Sequence, residues 1–231
     1  MTQLTSSFTA PVQSGTDAVA GDGRRSAVAL ITGAAATIAS GVAVQAVVQP
    51  ATTVPDDRWS YPWSSTAVVA VSVAFAAIHL VVIVGLRGVR RREPTGPFRW
   101  GRAGVDVAIA GTGLLLLAEL AMIPVRHAAV DDAGAMVVGA LFGLGTLVSA
   151  VGFLLAGVAT ARAGQWQDWR RWPLLATGAW LLALTGIAAT KALPTGVAIY
   201  GVGLLATGVA LYTSTAPVPP ATADARLVAA A

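Results

Sequence analysis

The sequence predicts an all-α membrane protein, in which six transmembrane helices form a bundle with short loops. Three observations support this prediction. Hydrophobic residues make up 55% of the chain and charged residues only 11%, whereas about 25% of an ordinary soluble domain is charged. The apolar residues form runs long enough to cross the hydrocarbon core of a bilayer, which takes about 20 residues. Charged residues, proline, tryptophan and tyrosine mark the ends of these runs.

Six apolar runs of about 17 residues or more define the predicted spans. The runs lie at 26–48, 66–86, 105–125, 136–161, 174–190 and 195–212. The last two runs are short and close together, so their boundaries are the least sharply marked. Residues 1–25 and 213–231 form polar or Pro- and Ala-rich tails, which we expect to be disordered because they cannot bury enough apolar surface to fold.

The first run also imitates an export signal. It begins after Arg24 and Arg25, and near its end stands the triplet Val44-Gln45-Ala46, which looks like a cleavage site. However, the run is longer than the hydrophobic region of most signals, and nothing downstream looks like an exported soluble domain. We therefore predict an ordinary first span, with cleavage as the alternative.

Basic residues divide unevenly between the two predicted sides of the membrane. Twelve arginines lie on the side of the N-terminus, whereas the opposite side holds only Arg58, Arg126 and Lys191. By the positive-inside rule, both termini are predicted to be cytoplasmic. The same charge predicts attraction to anionic lipid headgroups at the cytoplasmic face, and it requires no nucleic-acid partner.

Three stretches of the chain carry a resemblance to a known group of proteins: VVQPATTVPDDRWSYPWSS, AFAAIHLVVIVGLRGV and GVATARAGQWQDWRRWPLLATGAWL. Together they resemble uncharacterised multi-pass membrane proteins of high-GC actinobacteria, over most of residues 27–212. The resemblance implies a location in the bacterial cytoplasmic membrane. Because that group has no established activity, the resemblance implies no functional residue.

Glu119 is the first candidate for function, because an ionisable group within a span is costly unless it is paired or faces the bundle interior. It lies in the third run, near the predicted outer end. One interpretation is a proton or cation site, or a contact to a polar ligand. The interpretation that the sequence favours is structural, with an ion pair or hydrogen bond to Lys191 or to Arg126.

His79, in the second run, is predicted to be an interior histidine bonded to a neighbouring helix, with a proton relay or a haem or metal ligand as alternatives. The chain has no cysteine and only two histidines, and the second, His127, is predicted at a very different depth. We therefore expect no metal and no cofactor. The sequence also lacks the common nucleotide-binding, esterase and metalloprotease motifs, so no enzymatic activity is predicted.

Gly139 and Gly143 form a GxxxG pair in the fourth run, a spacing that lets helix backbones approach closely in lipid. We expect this pair to pack the fourth span against its neighbours within the chain, with a homodimer interface as the alternative. Glycine and serine recur along the same run, which predicts that the fourth span is more buried than the first.

These observations favour a non-catalytic accessory, sensor or packing subunit of the membrane, with a membrane-protein partner or a second copy as its contact. The alternative is a small-solute or proton-coupled transporter or channel that uses Glu119. The two are separated by whether Glu119, His79 and Lys191 meet around a wet cavity or pack separately.

Overall fold

The computed structural model describes residues 14–214, with side chains from residue 23 onward, and within this part the chain is helical with no β-strand. The six helices are α1 (Ser14–Ala43), α2 (Ser65–Arg92), α3 (Arg99–Ala121), α4 (Ala133–Ala163), α5 (Pro173–Ile187) and α6 (Leu193–Ser214). Helix α1 continues through a π-helical segment (Val44–Val48) into a last turn (Gln49–Ala51), and a short 3₁₀ helix (Asp168–Arg171) precedes α5.

Local sequence signals account for several of these helix ends. The Ser64 hydroxyl accepts a hydrogen bond from the backbone N–H of Ala67 at 3.2 Å, which caps the start of α2. Helix α4 ends at Gly164, whose φ of +66° is a left-handed conformation that glycine adopts without strain. Helix α5 begins at Pro173, where the missing N–H costs no hydrogen bond.

Five of the helices are long and apolar enough to cross a membrane; α1 contributes its stretch from Gly23 to Ala51 to this set. Helix α5 is shorter, with 15 residues, and spans about 22 Å at 1.5 Å per residue against a hydrocarbon core of about 30 Å. The apolar helical bundle is thus confirmed. The fifth run, predicted as 174–190, forms a shorter helix because the chain turns after Ile187.

Several predicted boundaries differ from the observed ones; for example, the second helix extends to Arg92, beyond the predicted end at 86. Helix α1 starts at Ser14, inside the predicted tail 1–25, since a helix extends easily once its apolar part has formed. Helix α3 is shifted toward its N-terminus and ends at Ala121, because Pro124 follows and the chain turns there. The predictions for residues 1–13 and 215–231 lie outside the described residues.

The six helices form a closed ring. Each helix packs against its neighbours in the sequence, and α6 returns to pack against α1. Glycines allow the close approaches: a methyl group at Gly104 would lie 2.7 Å from the backbone nitrogen of Ala156, and one at Gly201 would lie 3.0 Å from that of Ile38. The first and last helices therefore share a wall of the bundle.

The two ends of the ring differ in charge. At one end, which we call the arginine-rich end, Arg90 binds Asp106 with a 2.9 Å Nε–Oδ1 distance, and Arg102 binds Glu93 at 3.2 Å. Large apolar side chains fill the core toward this end, namely Leu30, Leu86, Val89, Leu204 and Leu211. We call the opposite end, which holds the loops 52–64, 122–132 and 188–192, the outer end.

Large apolar side chains also cover the outside of the bundle. Examples are Leu80, Leu117, Val137, Leu144 and Val202, which are 52–69% exposed. A surface of this kind is typical of helices that face lipid.

Helix α4 has apolar residues on all sides, and much of its surface faces outward. Of its apolar stretch, 33% is buried, against 39% for α1. The two fractions are similar, so the expectation that the fourth span is the more buried of the two stays a prediction.

Candidate functional site

A cavity of about 550 Å³ lies inside the ring, in the half toward the outer end. All six helices line it, together with the loop 52–64. Its size falls in the range of about 300–1,000 Å³ that is typical of small-molecule sites. Phe153 and Tyr200 meet edge to face beneath it, with ring centroids 6.5 Å apart, and so separate the cavity from the filled half of the bundle.

Glu119 lines this cavity from α3, two residues before the helix ends. Its carboxylate makes no hydrogen bond and no ion pair to any other described residue. The partners expected from the sequence are engaged elsewhere: Lys191 Nζ lies 3.3 Å from an oxygen of Asp56, and Arg126 Nη1 donates to the Ile123 carbonyl at 2.9 Å. The acid therefore faces the cavity without a cation.

His79 lines the same cavity from α2. Its Nδ1 lies 2.9 Å from the carbonyl oxygen of Phe75, one turn earlier on the same helix, and not against a neighbouring helix as expected. A carbonyl oxygen only accepts hydrogen bonds, so Nδ1 carries the hydrogen. In the neutral ring, Nε2 is then left as an acceptor. Lys191, the third residue expected at such a site, does not line the cavity.

Further polar atoms of the cavity wall are buried, among them the hydroxyls of Ser72 and Tyr200 and the indole N–H of Trp59. The hydroxyl of Ser72 and the indole N–H of Trp59 form no hydrogen bond within the part of the chain that the structure describes. Ser72 is only 1% exposed. An unsatisfied buried polar group costs about 1–3 kcal/mol, so each such group requires an explanation.

Two loops that border the cavity at the outer end bind each other. The backbone N–H of Trp59 donates to the Ala128 carbonyl at 3.1 Å, and that of Val130 donates to the Asp57 carbonyl at 2.9 Å. We call these loops, 52–64 and 122–132, the outer lid. The indole ring of Trp59 lies over Gly139, where an added methyl group would come within 3.1 Å of the ring.

The GxxxG pair of α4 belongs to this cavity face. Gly139 lies under Trp59, and Gly143 lines the cavity with nothing within 4 Å of where a side chain would begin. The crossing of α4 with α3 instead uses small residues further along, such as Gly145, where a methyl group would lie 3.0 Å from the Leu115 nitrogen. Gly139 therefore packs against a ring of the loop 52–64, and Gly143 borders the cavity.

Sequence reasoning missed the aromatic wall of the cavity. The rings that line it belong to Trp59, Tyr61, Trp63, Phe75, Phe142 and Tyr200. The three rings in 59–63 stand just before the second apolar run, a position that is typical of anchors at the membrane surface. The signal that could have located them at the cavity is the length of their loop, 52–64, which is long enough to fold back over the bundle.

Among the described residues, no three His, Asp or Glu side chains lie close enough together to hold a metal ion. Comparisons of the chain with protein-family models, with curated proteins and with solved structures give no match. The fold and the cavity define its class on their own: an apolar helical bundle with a solute-sized internal cavity. The resemblance to actinobacterial membrane proteins stays a prediction.

Proposed function

We propose that this protein is a multi-pass protein of the bacterial cytoplasmic membrane that carries a small solute, with the internal cavity as its binding site. The position of Glu119 supports this proposal most directly. A structural acid in apolar surroundings is normally paired, because an unpaired one is costly. Glu119 instead faces a cavity of ligand size without a partner among the described residues.

The arrangement of charge and volume supports a carrier in preference to a channel. Positive charge concentrates at the arginine-rich end, which we place in the cytoplasm. The cavity lies toward the other end, and large apolar side chains such as Leu86 and Leu211 fill the bundle below it. A solute would therefore enter from outside after the outer lid opens, and would leave only after the helices rearrange.

A sensor or accessory subunit is the second candidate function, and the filled half of the bundle favours it. A sensor needs a binding cavity but no route to the cytoplasm, and large apolar side chains fill the described core below Phe153. Both candidates share the cavity. They differ in whether its wall ever becomes accessible from the cytoplasmic side.

Cysteine labelling separates these two functions cleanly, since the chain has no cysteine of its own. Thr146→Cys places a thiol on the cavity wall, and Leu144→Cys places one on the outward face of the same helix as a control. A membrane-impermeant maleimide is applied to right-side-out or to inverted vesicles. Covalent labelling accumulates even when the reactive conformation is a minor one.

A carrier predicts labelling of Thr146→Cys from both sides, while Leu144→Cys, surrounded by lipid, reacts slowly from either. Labelling only from the outside would support the sensor. Labelling only from the side of the arginine-rich loops would contradict the proposed orientation, and no labelling from either side would exclude the cavity as a solute site.

A further inference from the structure

We infer that the cavity binds a protonated organic amine with an apolar, ring-containing body. This inference rests on the proposed function, since it takes the cavity to be a solute site, and it adds the chemical class of the solute. Three features of the wall carry it: the charge of the lining residues, the hydrogen-bond acceptors on α2, and the aromatic rings.

The charge of the wall favours a cation. Glu119 is the only acid among the described residues that line the cavity, and no Lys or Arg lines it. The two bases expected beside Glu119 are held by other groups, Lys191 by Asp56 and Arg126 by the Ile123 carbonyl. A carboxylate in this setting is stabilised by a ligand that brings its own positive charge, whereas an anion would be repelled.

The acceptors on α2 favour an N–H donor over a cation with none. Ser72, Phe75 and His79 follow the spacing of one helix face and all line the cavity, on the helix next to the one that carries Glu119. The Ser72 hydroxyl has no partner in the described structure, and Nε2 of His79 is left as an acceptor. An N–H donor can use any of these acceptors, whereas a cation without N–H groups can use none of them.

The aromatic rings favour an organic body. Six rings line the cavity, and the negative face of an aromatic ring attracts cations. Mg²⁺ and Ca²⁺ require six or more oxygen ligands, which one carboxylate and scattered hydroxyls do not provide. The wall therefore matches a molecule that is apolar over most of its surface and positive at one point.

Three ligands with the same body test this inference: diphenylpropylamine, diphenylpropanol and diphenylpropanoate. Binding to the whole protein in lipid nanodiscs is measured by titration calorimetry, with protein-free nanodiscs as the control for partition into lipid. The amine is expected to bind about tenfold or more tightly than the alcohol, because its hydrogen bonds carry charge. The carboxylate is expected not to bind. Equal binding of alcohol and amine would overturn the inference, since Glu119 would then hold its own proton.

Two variants with the same change in charge assign the effect to its residue. Glu119→Gln keeps the size of the side chain and should reduce amine affinity about tenfold while leaving the alcohol unchanged. Asp131→Asn removes one charge from the outer lid, at an exposed residue that does not line the cavity, and should leave amine affinity unchanged. An equal loss in both variants would mean that surface charge attracts the amine, and the assigned site would be wrong.

A second measurement tests the inference in a protein that keeps Glu119. It therefore gives a result even if Glu119→Gln fails to fold. The amine should protect Thr146→Cys from maleimide and leave Leu144→Cys unaffected. Lack of protection would overturn the inference. If Thr146→Cys is labelled from both sides but all three ligands bind equally, the carrier function would stand and the inference about the amine would fail. If the protein selects the amine but is labelled from one side only, the carrier function would fail and the inference about the amine would stand.

Discussion

The arginine-rich half of the bundle and the outer half consist of the same six helices, yet only the first is filled. In the filled half, glycines lie in close contact with a neighbouring helix: Gly85 of α2 lies against Leu30, and Gly88 lies against Ser26. In the outer half, Gly143 of α4 faces open space in the cavity. A small residue thus brings helices together only where the facing helix supplies a side chain or backbone to meet it.

The three acidic residues of α3 and of the turn before it show the same contrast. Asp106 and Glu93 at the arginine-rich end are each held by an arginine, whereas Glu119 in the outer half is held by none of the described residues. The filled half has the features of a structural scaffold. The outer half keeps volume and charge available, as a binding site requires.

Of the substitutions that compare the two halves, Phe153→Ala should have the largest effect on stability. This side chain is 1% exposed and touches Tyr200 at the floor of the cavity. Its removal leaves a void in the filled half, and we expect the free energy of unfolding in mixed micelles to fall by about 3–5 kcal/mol. Phe142→Ala, on the same helix, only enlarges a cavity that already exists. An equal loss in both variants would contradict the distinction between the two halves.

Gly152→Ala and Gly143→Ala compare the two halves with the same methyl group. At Gly152 the methyl group would overlap the backbone of Ala108 on α3, so we expect a loss of about 1–3 kcal/mol in the free energy of unfolding. At Gly143 it has room, and the higher helix propensity of alanine should raise stability by up to about 1 kcal/mol. Destabilisation by Gly143→Ala would show that the outer half is more tightly packed than described.

Trp59→Ala should loosen the outer lid without unfolding the bundle. The indole lies over Gly139 and shields the cavity wall below. We expect several-fold faster labelling of Thr146→Cys from the outside and no change for Leu144→Cys. An unchanged rate at Thr146→Cys would mean that solute reaches the cavity by another path.

The Arg90–Asp106 ion pair should give the smallest effect. The two side chains are 35% and 56% exposed, so solvent screens their attraction. A double-mutant cycle with Arg90→Ala and Asp106→Ala should give a coupling energy below about 1 kcal/mol. A coupling of several kcal/mol would show that this end of the bundle is less solvated than the structure indicates.

Within the described residues, the six apolar helices could be predicted from sequence, five of them long enough to cross a membrane, because apolar runs record the surroundings of each helix along its whole length. The boundaries were less accurate where the chain turns within apolar sequence, as it does after Ala121 and after Ile187. In these places composition hardly changes, and hydrogen bonding alone marks the end of the helix.

The candidate site could be predicted only in part. Glu119 and His79 stand out in the sequence because each is ionisable within an apolar run. Their meeting at one cavity depends on which helix faces turn inward, and that follows from the packing of α2 and α3 in the ring. Lys191 was expected beside Glu119 because the two lie at similar depth, but Asp56 of the outer lid binds it instead.

The closure of the ring between α1 and α6 has a consequence for biosynthesis. Thr195 donates to Gln45 at 3.1 Å, across a separation of 150 residues in the chain. During translation the first helix therefore leaves the ribosome long before its partner exists, and contacts of such high sequence separation form late. Because α6 supplies one wall of the cavity, a nascent chain that stops before Leu193 lacks the complete cavity.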